Sequence, residues 1–132
     1  MLGKSHVADW DYSGAWYHGS PHRLTSIRGG STITQDRDLA RAFSHKPTVV
    51  SISDDGFIQH NGTVPGFLYR IAEDVQPGDV YPRPRSSLPW GREWLTRRDL
   101  RVSLIGPTEI LGDEVLTDRE IQELRRKPHP RC

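Results

Sequence analysis

Only one internal stretch of this chain, TQDRDLARAFSHKP over residues 34–47, has the signature of a helix. Leu39, Ala40 and Phe43 share one face, Thr34 or Asp36 can cap the first turn, and Pro47 ends it. Elsewhere, short β-branched and aromatic runs are cut by 12 Gly and 10 Pro. A chain punctuated in this way is confined to an α+β architecture of short strands around one internal helix.

Strands are expected at residues 15–18, 31–34, 48–53 and 66–72, and within 93–111, where Leu100, Val102 and Leu104 alternate with polar residues. The run TVVSIS reads as a buried strand, and HNGTVPG as the loop that follows. Residues 75–89 contain Pro77, Gly78, Pro82, Pro84 and Pro89 and read as a long stiffened loop. LTDREIQELRR predicts a C-terminal helix capped by Thr117 or Asp118, with Ile121 and Leu124 turned inward. This gives an irregular lead-in over 1–14, a single domain over 15–126 and a mobile tail over 127–132.

At 132 residues, with 34% apolar residues, the chain can fill one modest core. A formal net charge of +1 argues against general polyanion binding, so nucleic acid is not an expected partner. Its single cysteine, Cys132, excludes an intramolecular disulfide and a Cys-rich metal site. No apolar run approaches the roughly 20 residues of a membrane span, and none resembles a signal peptide, so a cytoplasmic protein without a membrane partner is expected. The six histidines never form H-E-x-x-H, and Pro21 interrupts the His18/His22 pair, so no metal is expected. Four Trp and four Tyr sit near Gly and Pro, either as packing anchors or as flat surfaces for a bound ring.

Three pieces carry candidate chemistry: WYHGS over residues 16–20, STITQDRDLARAF over 31–43, and GREWLTRRDLRVSLIG over 91–106. Taken in order, they resemble the ADP-ribosyltransferase superfamily. His-Gly-Ser is similar to the first motif of its diphtheria-toxin-like and poly(ADP-ribose)-polymerase-like branch. Glu93-Trp94-Leu95-Thr96 resembles the last motif, in which a glutamate opens a strand. The short chain and the I-T-Q phrase before a helix also resemble the small bacterial rifamycin ADP-ribosyltransferases.

The resemblance implies a compact split β-sandwich that takes NAD as co-substrate and transfers ADP-ribose to a small molecule or a protein, releasing nicotinamide. Glu93 would stabilise the positive charge that develops on the ribose carbon. His18 would donate a hydrogen bond to a ribose hydroxyl. Gly19 would offer its backbone to the nicotinamide carboxamide, since no Cβ blocks the approach, and Ser20 its hydroxyl. Phe43 falls 11 residues after Thr32, the spacing at which the polymerase-like branch sets two aromatic rings around nicotinamide. Thr32 departs from the usual Tyr and cannot stack, so Tyr17, Tyr81 or Trp90 would have to supply that wall. Gly91 stands where the arginine-modifying branch carries Glu or Gln, so protein arginine is not the expected acceptor. Tyr81, Arg83, Arg85, Trp90 and Arg92 precede or flank Glu93 as an acceptor loop that interleaves cations with aromatics. Two alternatives accompany this reading. One is a catalytically degenerate NAD- or ADP-ribose-binding or protein-interaction module, and the other is an NAD-dependent RNA 2′-phosphotransferase-like enzyme.

Overall fold

Asp36 decides where the internal helix begins. Its carboxylate accepts the N–H groups of Asp38 and Leu39 at 3.1 and 3.2 Å, which leaves α1 spanning Arg37–Phe43. The helix ends earlier than Pro47 suggests, because Ser44 caps it and Lys46 turns left-handed at φ 55°. The computed structural model describes residues 7–126, so the tail expected over 127–132 and the first six residues of the lead-in lie outside the described residues.

The described chain is mixed α+β, with two helices and nine short strands in curled antiparallel sheets. The strands are β1 (Tyr17–Ser20), β2 (Ser26–Ile27), β3 (Thr32–Ile33), β4 (Val50–Ile52), β5 (Ile58–His60), β6 (Gly66–Ile71), β7 (Val80–Pro82), β8 (Trp94–Thr96) and β9 (Leu100–Thr108). One sheet has the order β1-β6-β9-β2, a second β3-β8-β7, and β4-β5 form a separate hairpin. The second helix, α2 (Asp118–Arg126), opens with Thr117, whose hydroxyl accepts the Glu120 N–H while the Glu120 carboxylate accepts the Thr117 N–H. Among the described residues, no helix is long and apolar enough to cross a membrane.

Several expected boundaries shift. Residues 75–89 are not all loop, since Pro77–Asp79 make a 3-10 turn and β7 follows it. The segment 93–111 is two strands, β8 and β9, separated by a turn. Within TVVSIS only β4 forms, and it is half-buried because its hairpin lies at the margin of the molecule.

The main core lies between the two larger sheets and includes Trp16, Ile33, Tyr69, Trp94, Leu100 and Val102. Trp94 is fully buried, and Trp10, Tyr12, Trp16 and Trp90 surround it with ring centroids 5.2 to 5.9 Å away. All four tryptophans are therefore packing anchors in one cluster. Trp10 and Tyr12, from the lead-in, belong to that cluster too. A smaller core of Leu39, Ala42 and Ile58 joins α1 to the β4-β5 hairpin.

Candidate functional site

Two sheets are pinned together at one point and diverge from it. Tyr17 of β1 exchanges both backbone hydrogen bonds with Thr34, at 2.7 and 3.0 Å. In turn β3 pairs with β8, Ile33 opposite Trp94 and Thr32 opposite Leu95. Beyond the pin β1 stays with β6 while β3 stays with β8, and a cleft of about 720 Å³ opens between them. The register explains how His18 and Glu93, distant in the chain, come to share it. Their strands are two strand spacings apart, roughly 10 Å.

His18 lies on the floor of the cleft. Its Nδ1 is 2.7 Å from the Thr32 carbonyl, which can only accept, so Nδ1 carries a proton. Burial lowers the imidazole's pKa below its ordinary range, against the pull of that carbonyl, and the ring is neutral at pH 7. Nε2 is then an acceptor. The donor role expected for His18 at a ribose hydroxyl therefore does not fit this ring, whose Nδ1–H is spent on Thr32 and whose Nε2 can only accept a hydrogen bond.

Gly19 also differs from expectation. A Cβ built on it would stand 1.9 Å from the Ala40 carbonyl oxygen and 2.7 Å from the Ser44 nitrogen. The missing side chain makes room for α1 rather than for a ligand. The backbone of Gly19 still faces the opening. Trp16 turns its carbonyl to β6 and Tyr17 turns its peptide groups to Thr34, so strand alternation directs those of Gly19 to the Thr34 side. Ser20 is buried, and its hydroxyl oxygen accepts the His22 N–H at 3.1 Å, which folds the chain after β1. Its hydroxyl proton remains available to donate.

Glu93 comes immediately before β8 and is 8% exposed. Arg83 donates to one carboxylate oxygen at 3.1 Å, and Ser86 donates to the other. Both belong to the connection between β7 and β8, which returns onto itself through the Arg83 N–H to Glu93 carbonyl bond of 3.0 Å. Each carboxylate oxygen has two lone pairs, so Glu93 is oriented without being saturated. Sequence reading missed Ser86, because its role depends on how that loop folds back.

The cleft brings together His18, Gly19, Ser20, Thr32, Phe43, Arg83, Arg85 and Glu93. Phe43, at the end of α1, is half-buried; it lines the cleft and packs on the smaller core. Three expected loop residues lie elsewhere. Tyr81 sits under the Arg97 guanidinium at 4.4 Å, Trp90 packs edge-on against Trp10 and Trp94, and Arg92 pairs with the helix-capping Asp36 at 2.8 Å. Neither these nor Tyr17 lines the cleft.

A second cluster lies beneath α1. His45, His60 and Glu114 are buried, with ligand-type atoms all within 4.8 Å of one another. Their proton positions fit a cation poorly. Gly62 donates its N–H to His60 Nδ1 at 2.9 Å, so the neutral ring carries its proton on Nε2 and has no lone pair there. His45 is the reverse: its Nδ1 faces the Val64 carbonyl at 2.7 Å and its Nε2 is an acceptor. These two Nε2 atoms are the only buried side-chain polar atoms without a hydrogen-bond partner among the described residues; the two rings stack with centroids 5.4 Å apart, and His60 Nε2 stands 3.6 Å from a Glu114 carboxylate oxygen. Glu114 is held by both arms of the Arg41 guanidinium and by the Leu111 N–H. Although burial pushes its carboxyl pKa upward, these bonds hold it below the usual range.

Comparison with protein-family models, curated proteins and solved structures finds no match to this chain. What it can be said to be is a mixed α+β protein with a cleft between its sheets.

Proposed function

We propose that the cleft binds NAD and that the protein transfers ADP-ribose from it to an acceptor, releasing nicotinamide. One observation carries the reading: His18, Gly19, Thr32, Phe43 and Glu93, singled out by resemblance alone from β1, β3, α1 and the position just before β8, line a single cleft. Its volume lies within the range of small-molecule sites, roughly 300–1,000 Å³.

In this reaction nicotinamide leaves with the electron pair of the bond to the ribose carbon. That carbon takes on positive charge, and an acceptor nucleophile then bonds to it and loses a proton. Glu93 accepts from a ribose hydroxyl through a lone pair that Arg83 and Ser86 leave open, and its negative charge lies beside the developing positive one. His18 Nε2 accepts from the second hydroxyl. The carboxamide pairs with the Gly19 backbone, and Phe43 covers one face of the ring.

Incubation with NAD tests this, with nicotinamide release followed by chromatography. Glu93→Gln keeps the shape and removes the charge, and turnover should fall about a hundredfold or more. Release at the wild-type rate in that variant overturns the assignment.

A second reading, binding of NAD or ADP-ribose without turnover, is favoured by Thr32, which leaves one face of a bound ring uncovered. Calorimetric binding of both ligands with no nicotinamide release would select it.

A further inference from the structure

Lys46 and Arg85 are the only non-glycine residues with positive φ among those described, at 55° and 57°. Both line the cleft, Lys46 just beyond α1 and Arg85 in the loop that carries Arg83 and Ser86. Left-handed backbone is strained for any residue with a Cβ and is relieved by glycine. The chain accepts that strain twice on the walls of one cleft, each time under a cation. Strain held in this way points to a requirement on the side chain rather than on the turn.

Both side chains are exposed, and among the described residues neither enters an ion pair or a side-chain hydrogen bond. Arg83, the third Lys or Arg of the cleft, is matched by Glu93. Two formal positive charges, Lys46 and Arg85, therefore face the cleft uncompensated. A dinucleotide brings two negative charges in its diphosphate diester. A guanidinium can hold one phosphate through paired N–H bonds, while an ammonium acts on the other as a point charge.

We propose that Lys46 and Arg85 clamp the diphosphate of the ligand between the α1 wall and the loop wall. The clamp rests on the dinucleotide reading and adds to it the residues that hold the charged linkage.

The test is calorimetric titration of ADP-ribose into the wild-type protein, Lys46→Gly, Arg85→Gly and the double variant. Glycine suits the left-handed backbone, so each variant should melt at or above the wild-type temperature. Each single change should weaken ADP-ribose binding about tenfold, and the pair about a hundredfold. Nicotinamide, which is neutral, should bind all four proteins alike. Wild-type affinity for ADP-ribose in the double variant overturns the clamp, as does failure of the wild-type protein to bind ADP-ribose. The two readings fail separately. If the cations govern ADP-ribose binding but NAD is not cleaved, the clamp stands and the transferase falls. If the double variant cleaves NAD at an unchanged KM, the clamp falls and the transferase stands.

Discussion

Replacing Gly19 with alanine should destabilise the protein even in the absence of any ligand. The added methyl would lie 1.9 Å from the Ala40 carbonyl oxygen, whereas real Cβ contacts essentially never fall under 3.0 Å. Helix α1 would therefore have to retreat by about 1.1 Å, the difference between these two distances, because neither backbone can rotate out of the way. The same helix is pressed onto β6, where a Cβ on Gly66 would meet the Ser44 carbonyl oxygen at 2.3 Å. Retreat from β1 thus also loosens the seat of Leu39, Ala40 and Ala42, all buried. Overpacking of this kind costs about 3 kcal/mol, the upper part of its usual range. For a domain of this size that lowers Tm on the order of 10 °C, and the urea midpoint by about 1.5 M. Thermal and urea unfolding followed by circular dichroism would read both. Gly112→Ala is the control, since nothing lies within 4 Å of its Cβ position, and should stay within about 0.5 kcal/mol of wild type. If Gly19→Ala melts within roughly 2 °C of wild type, the helix contact is not what requires glycine, and ligand approach becomes the better account.

Two further predictions concern the same fold. Glu114→Ala removes the acceptor of Arg41 and of the Leu111 N–H and should cost about 2 kcal/mol, less than for a fully buried pair because Arg41 stays 29% exposed; an unchanged urea midpoint would contradict it. Stability should also fall on acidification below about pH 6.5, because burial lowers the pKa of both His18 and His60 while the unfolded rings still titrate near their ordinary value. There the unfolded state binds more protons, so each ring contributes a slope of at most about 1.4 kcal/mol per pH unit, lost downward and absent above pH 7. Urea midpoints that hold level or rise between pH 7 and pH 5.5 would refute that sign.

Much of this architecture is legible locally. Asp36 before the face of Leu39, Ala40 and Phe43 announces α1, Thr117 before an amphipathic run announces α2, and the alternation from Leu100 onward announces β9. The errors fall where pairing decides. Strand β7 hides among prolines because Val80–Pro82 become a strand only by lying against Trp94–Thr96. Strand β5 hides beside a turn because Ile58–His60 need β4 as a partner.

The candidate site divides in the same way. His18, Gly19, Ser20 and Glu93 can be singled out from short motifs, since residue type and order are properties of the chain. Ser86, the acceptor state of His18 Nε2, the displacement of Tyr81, Trp90 and Arg92 from the cleft, and the helix contact behind Gly19 cannot. Local propensity and capping act over a few residues, and so the linear order carries them. Proton positions, burial and backbone close approach depend on which distant segments meet. Those meetings are made here by the parting of β1 from β3 beyond the bond between Tyr17 and Thr34, by the seating of α1 on Gly19, and by the β7–β8 connection folding back onto Glu93.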